Sequence, residues 1–393
     1  MNYAWGSRHV LADLQRRTAS DEPEAELWMG AHPKAPSCLV TPSVRVPLDL
    51  AIAENPDGLL GSECARRHDQ QLPFLFKVLA AEQPLSLQTH PDRHQAHLGF
   101  RAEESAGLDR AAPNRTYRDE NHKPELVCAL SRFEALCGFR PQSDVLRLFD
   151  QLQVSSPTLV TALSRLRSDA SERAFRGLLR QVMQDPEFRD QVLPQVLDAC
   201  LKRGSETAFP DSCRWALRLA QRYPRDVGVL TSLLLNYVPL EPGQALFLSA
   251  GTLHSYLGGT ALEVMANSDN VLRGGLTSKH VDVKGLLDTL RFERGIISPI
   301  DPVQVGNGVL RYVTPAAEFE LWRIELGQDG LELPASGPQI LFVAHGRARL
   351  KGSGSFDTLQ LDSGQSAFVA PSADPPRLSG SGVAFRAGLP PAS

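Results

Sequence analysis

Glycine and proline punctuate this chain almost throughout, and the one window where proline thins out is the strongest constraint on its fold. Its 393 residues include 30 glycines and 29 prolines. Most of them separate short segments, the spacing of an all-β architecture with many turns. From about residue 143 to residue 237 a helical period takes over. Phe175, Leu178, Leu179, Val182 and Met183 fall at i, i+3, i+4, i+7 and i+8 and form one apolar stripe. The sequence predicts a second helix capped by Asp211 or Ser212, running through Trp215, Leu217 and Leu219 and stopping before Pro224. It predicts a third capped by Asp226, through Val229, Leu230, Leu233 and Leu234. The expectation is a helical insertion between two β segments.

The β segments carry an internal echo. Pro242-Gly243 reads as a turn, Gln244 to Leu248 as a strand and Ala250-Gly251 as a second turn. Near the C-terminus, Gly364-Gln365 aligns with Gly243-Gln244, and Phe368 with Phe247. One hairpin used twice suggests two jelly-roll units. The first copy continues to His254, where the second has Pro375, so only the first copy can offer a ligand there. The strand upstream in the second unit is expected over Gln339 to His345, ending at Gly346. The resulting division is 1–142 with 238–299 as a catalytic β unit, 143–237 as the helical insertion and 300–393 as a C-terminal jelly roll.

Composition removes several function classes. Hydrophobic residues at 42% and charged residues at 22% are globular values. A net charge of -4 gives no basic excess for nucleic acid or an anionic membrane. The longest apolar runs, such as Val229 to Leu235, fall well short of the roughly 18 residues that span a bilayer. The first residues contain no apolar signal core, so a cytoplasmic protein is expected, and a monomer. Six cysteines stand at 38, 64, 128, 137, 200 and 213 with no Cys-x-x-Cys pair. They read as reduced, mostly buried thiols, and any metal must be held by nitrogen and oxygen.

Three segments offer such donors. Residues 84–97 read PLSLQTHPDRHQAH. On a strand, Ser86, Gln88 and His90 share one face. The bland alternative is that Gln88 and His90 are solvated, and a rival three-histidine site on a helical turn would use His90, His94 and His97. Residues 117–130 read YRDENHKPELVCAL. There Glu125 opens an apolar strand, where a carboxylate is costly unless paired or coordinated. Lys123 beside it allows a plain surface ion pair, although only 7 of the 41 basic residues are lysine. In the third segment His254 follows a tight turn. The polar run from Glu263 through Asn267, Ser268, Asp269, Asn270, Arg273, Thr277, Ser278 and Lys279 suits a loop around an anionic, hydroxyl-rich ligand. Gln88, His90, Glu125 and His254 together suit zinc or another divalent first-row metal.

At these residues the chain resembles the class I mannose-6-phosphate isomerases. The resemblance runs through Tyr3 to Ser7 (YAWGS), Ala25 to Ser37 (AELWMGAHPKAPS), Gln88 to Pro91 (QTHP), Glu120 to Leu126 (ENHKPEL), Phe133 to Pro141 (FEALCGFRP) and Leu262 to Lys279. It implies a mainly β, cupin-like architecture with a helical insertion and a C-terminal jelly roll. It implies one zinc ion per chain and interconversion of mannose 6-phosphate and fructose 6-phosphate through a cis-enediol. The family's zinc ligands fall on Gln88, His90, Glu125 and His254, and its catalytic and substrate positions on Lys123, Glu263, Arg273 and Lys279, with Ser86 near the phosphate. Glu263 is the first choice of proton-transfer base, with Lys123 and Asp269 as alternatives, and Arg273 would stabilise charge on oxygen. Where family members often have Ala and Pro, this chain has Gly274 and Ser278, which are expected to loosen the loop.

Overall fold

The computed structural model describes residues 1–40, 45–352 and 358–391. It is mostly antiparallel sheet with several helices. One sheet has nine strands and is organised around the 13-residue strand His254–Ala266. The far half of that strand, from Ala261 to Met265, lies between Phe74–Ala81 and Glu125–Ala129. Its near half pairs with Leu87–Thr89 and Phe133–Phe139. A register shift between Tyr256 and Gly258 lets one strand serve both sets of partners, as a bulge bends and twists a strand.

Strand Phe74–Ala81 is buried on both faces. Phe74, Phe76, Val78 and Ala80 pack into a core with Leu321, Ile340, Phe342, Phe385 and Ala387 of the second sheet. Phe76 and Phe342 meet edge to face at 6.3 Å between centroids, a favoured aromatic geometry. That second, eight-stranded sheet is built on Gln339–Lys351 and Arg377–Gly388. The first of these strands does not end at Gly346 as expected. It passes through a bulge between Val343 and His345 and continues to Lys351, because Gly346 adopts φ +90° and keeps the ladder intact. The two expected turns form, with Gly243 and Gly364 both left-handed ahead of strands Ala245–Leu248 and Ser366–Val369, but they do not close hairpins. Leu235–Leu240 pairs with Phe133–Phe139 and Ala245–Leu248 with Glu125–Ala129, while Leu359–Asp362 and Ser366–Val369 both pair with Gln339–Lys351.

Helices fill the chain from Gln142 to Ser232, between the strands Phe133–Phe139 and Leu235–Leu240. The predicted stripe is the buried face of Glu172–Gln184, with Met183 partly buried. Asp211 and Ser212 are not caps. The helix starts at Pro210, whose fixed φ suits the first helical position, so both lie inside the first turn. The third helix is short, Gly228–Ser232, since the chain turns into strand by Leu235. Asp226 does accept from the Gly228 N–H at 2.7 Å. The polar run after residue 262 is not one loop: residues 262–266 finish the long strand, and Leu272–Gly275 is a strand beside Leu87–Thr89. Among the described residues no helix is long and apolar enough to cross a membrane.

Candidate metal centre and cleft

Three of the predicted donors meet. His90, Glu125 and His254 are each at most 2% exposed, and their ligand atoms all lie within 4.8 Å of one another. Sequence brings them from three places. His90 follows strand Leu87–Thr89, Glu125 opens Glu125–Ala129 and His254 opens the long strand. Gln88 sits opposite His254 on one side and Arg273 on the other, half-buried at the cleft wall. The rival three-histidine arrangement does not form. His94 and His97 ride on the helix Arg93–Ser105 and line a separate opening of about 830 Å³, while Pro91 turns the chain so that His90 points inward.

The hydrogen bonds explain why a cation fits. His90 Nδ1 lies 2.6 Å from the Asn270 carbonyl and His254 Nδ1 lies 3.0 Å from the Thr252 carbonyl. A carbonyl only accepts, so each Nδ1 carries the proton and each Nε2 presents a lone pair. Both Nε2 atoms face the Glu125 carboxylate at 3.4 Å. His90 Nε2, His254 Nε2 and Glu125 Oε2 are buried and have no hydrogen-bond partner. Three inward-facing electron pairs without a proton between them repel unless a cation sits there. Burial pushes the His90 imidazole down to about 4, and the Lys123 ammonium acts in the same direction, so the ring is neutral near pH 7. Burial alone would raise the Glu125 carboxyl, but Lys123, His90 and His254 together hold it well below the usual range. Lys123 Nζ is 3.0 Å from Glu125 Oε1, so the expected pair exists but is buried rather than on the surface.

A cleft of about 630 Å³ opens from this centre. Ser86, Gln88, Lys123, Glu125, Glu263, Asp269, Arg273 and Lys279 all line it. Glu263 is 4% exposed and has both oxygens engaged: Lys77 Nζ donates to one and the Tyr256 hydroxyl to the other, each at 3.0 Å. The Lys77 register partner is Glu263 itself. Asp269 is tied down by Lys34 at 2.7 Å and His32 at 3.5 Å. Burial alone would raise its carboxyl, but His32 and Lys34 hold it low. At the other side, burial lowers the Lys279 ammonium, and Arg273, Arg118 and Lys34 add to the effect. Burial likewise lowers Arg273, with Arg118 contributing. Crowded cations of this kind are a place for an anion.

Sequence reasoning missed Lys77, Tyr256 and Arg118. A lone lysine inside the apolar run FLFKVLAA was a legible signal for Lys77, and Tyr256 shares a strand face with His254 two residues earlier. Nothing local marks Arg118, whose guanidinium donates to the Arg110 carbonyl at 2.8 Å and reaches the cleft wall only through the fold. Gly274 lies within a strand, where an added Cβ would meet Leu253 Cδ1 at 3.1 Å, so it is a packed position rather than a loose one.

Fold and site together define a mainly β protein with a buried two-histidine, one-carboxylate centre beside a cationic cleft. Residues 1–142 match the family model described as phosphomannose isomerase type I, catalytic domain. The chain is 39% identical over 387 residues to mannose-6-phosphate isomerase of Escherichia coli, covering 97% of this chain and 95% of that one. It is 34% identical to mannose-6-phosphate isomerase 1 of Arabidopsis thaliana, covering 92% and 85%. The chain belongs to the mannose-6-phosphate isomerase family. A solved structure of the Salmonella typhimurium protein, bound to fructose 6-phosphate as substrate and to zinc, superposes with a TM-score of 0.89 at 36% identity, covering 99% of this chain and 97% of that one. Another solved structure, zinc-bound mannose 6-phosphate isomerase, has the same TM-score, identity and coverage.

Proposed function

We propose that this protein is a zinc-dependent aldose–ketose isomerase that interconverts D-mannose 6-phosphate and D-fructose 6-phosphate through a cis-enediol. The observation that carries the reading is one cleft lined both by Glu125 of the His90–Glu125–His254 centre and by Arg118, Arg273 and Lys279, in a chain of this family. His90, Glu125 and His254 would hold the zinc, with the Gln88 amide oxygen as the fourth donor. The bound ion supplies Lewis acidity toward the substrate's carbonyl and hydroxyl oxygens.

The remaining work falls to side chains of the cleft. Lys279 and Arg118, with Ser86, bind the phosphate, and that remote binding orients the reacting carbons. The Glu263 carboxylate takes the proton from C2 of mannose 6-phosphate and returns it to C1, while protons on the two oxygens are exchanged so that an aldehyde becomes a ketone. Lys77 forms an ion pair with Glu263. Burial alone would lower the Lys77 ammonium, but Glu263, Glu26 and Glu125 raise it, so it stays a cation. Burial, then Glu263, keeps the Tyr256 phenol neutral as a donor. Arg273 stabilises negative charge on the substrate oxygens. Lys123, committed to Glu125, orients the carboxylate, and Asp269 pairs with Lys34 and His32.

We further read the two sheets as cupin-like jelly-roll units, with domains 1–142 plus 238–299, 143–237 and 300–393. The protein is read as a cytoplasmic monomer. Its six cysteines are free thiols, five of them buried, which supports a reducing compartment. A coupled assay on mannose 6-phosphate, run before and after chelation and again after adding zinc, tests the reading. Zinc-restored fructose 6-phosphate formation is expected. A tightly metallated protein with no turnover would instead mark a sugar-phosphate-binding relative.

A further inference from the structure

Asn270 joins two of the segments that carry the metal donors. It is fully buried. Its backbone carbonyl is the acceptor for His90 Nδ1 at 2.6 Å. Its side-chain oxygen accepts the backbone N–H groups of Arg118 at 2.6 Å and Asp119 at 3.2 Å. Its side-chain nitrogen donates to the Asp119 carbonyl at 2.8 Å, the Asn121 carbonyl at 2.9 Å and Asp119 Oδ1 at 3.2 Å. Its own N–H donates to Ser268 Oγ at 3.2 Å. Both acceptor sites and both donor hydrogens of one planar amide are therefore used on a single neighbouring segment. That segment, residues 118–121, runs straight into Lys123 and Glu125.

We propose that Asn270 is a positioning residue for the metal centre, its side chain clamping residues 118–121 while its carbonyl fixes the His90 imidazole. This rests on the metal-centre reading above. The carbonyl alone cannot do the task, because any residue has one. What Asn adds is a fixed peptide plane: the side-chain and N–H contacts prevent the 268–271 connection between the two strands from rotating. The carbonyl therefore stays aimed at Nδ1 and Nε2 stays bare toward Glu125. The same clamp sets where the strand Glu125–Ala129 begins, so both donors keep their spacing. Asp at this position would keep the acceptor half of the clamp. It would lose the donors to Asp119 and Asn121 and set a second carboxylate against Asp119. Ala would lose both halves. Outer partners that orient a ligating histidine typically contribute about 10–100-fold to metal affinity.

The test measures zinc affinity by chelator competition on the purified full chain, with absorption spectra of the cobalt-substituted protein as a second readout. Asn270→Ala and Asn270→Asp are compared with the parent and with Leu179→Ala, a core truncation in the helical segment at a residue that does not line the cleft. The expected result is zinc affinity about 10–100-fold weaker for Asn270→Ala. Asn270→Asp should fall in between, both should give altered cobalt spectra, and Leu179→Ala should match the parent in both readouts. If Asn270→Ala does not fold, Asn270→Asp decides on the same criteria. Parent-like affinity and spectra in the Asn270 variants, or an equal loss in Leu179→Ala, overturn the proposal. Failure of the parent itself to bind zinc overturns the metal-centre reading and takes this inference with it.

Discussion

His254 shows how much of the centre is fixed by a single side chain's surroundings. Its Nδ1 proton is committed to the Thr252 carbonyl two residues earlier, and its Nε2 faces Glu125 with no other partner. Removing the imidazole takes away one donor and leaves the Glu125 carboxylate buried against one histidine fewer. His254→Ala is expected to lose bound zinc, read by metal analysis, and to drop turnover by about 10³-fold or more. Glu263 is a different case, because it is no metal candidate. Glu263→Gln keeps the shape and a hydrogen bond to Tyr256 but loses the charge that pairs with Lys77. It should retain zinc while kcat falls by about 10²–10⁴-fold, the usual scale of a general base. Loss of zinc in that variant would show that the Lys77 pair supports the metal centre rather than proton transfer.

At the scale of elements, the cationic side of the cleft is anchored to the helical segment. Asp226, just before the short helix Gly228–Ser232, accepts from the Gly228 N–H at 2.7 Å and from the Thr277 N–H at 3.2 Å. Gly275 has φ +118°, and an added Cβ would lie 2.8 Å from Gly228 Cα and 2.9 Å from an Asp226 oxygen. Gly275 is needed there both for its dihedral and for the close approach. Gly275→Ala is expected to cost about 1–3 kcal/mol in unfolding measurements. It should also raise KM for the sugar phosphate, since Arg273 and Lys279 flank it, with zinc content unchanged. An unaltered KM would mean the residues after 275 adjust independently of the helices.

The whole molecule is held together by a core that belongs to both sheets. Phe76 faces Phe342 across it, and both are fully buried. Glu318, from the C-terminal part of the chain, extends the coupling to the site: it lies 2.7 Å from His122 Nε2 and 3.3 Å from Arg93, beside the segment that carries Lys123. Phe342→Ala should cost about 3–5 kcal/mol. Because the core is shared, calorimetry should show a single transition moving down in temperature. Two separated transitions would mean that the sheets are independently stable. The sequence treated the C-terminal unit as a separate jelly roll and offered no hint of this coupling, since Phe76 and Phe342 lie far apart along the chain.

The sequence by itself determined the local things: the β punctuation, the helical window, the glycine turns and the candidate donors Gln88, His90, Glu125 and His254. Each depends on a period, a backbone conformation or a residue type that can be read within a few positions. Only the tertiary structure decided which donors meet. His94 and His97 are closer to His90 in sequence than Glu125 or His254, yet Pro91 and the strand pairing send them to another cleft. It also decided that Lys123 is buried, that Asp269 is already paired and that Arg118 joins Arg273 and Lys279. Those outcomes turn on cross-strand register and on loops meeting across long stretches of chain, and no local pattern encodes such distances.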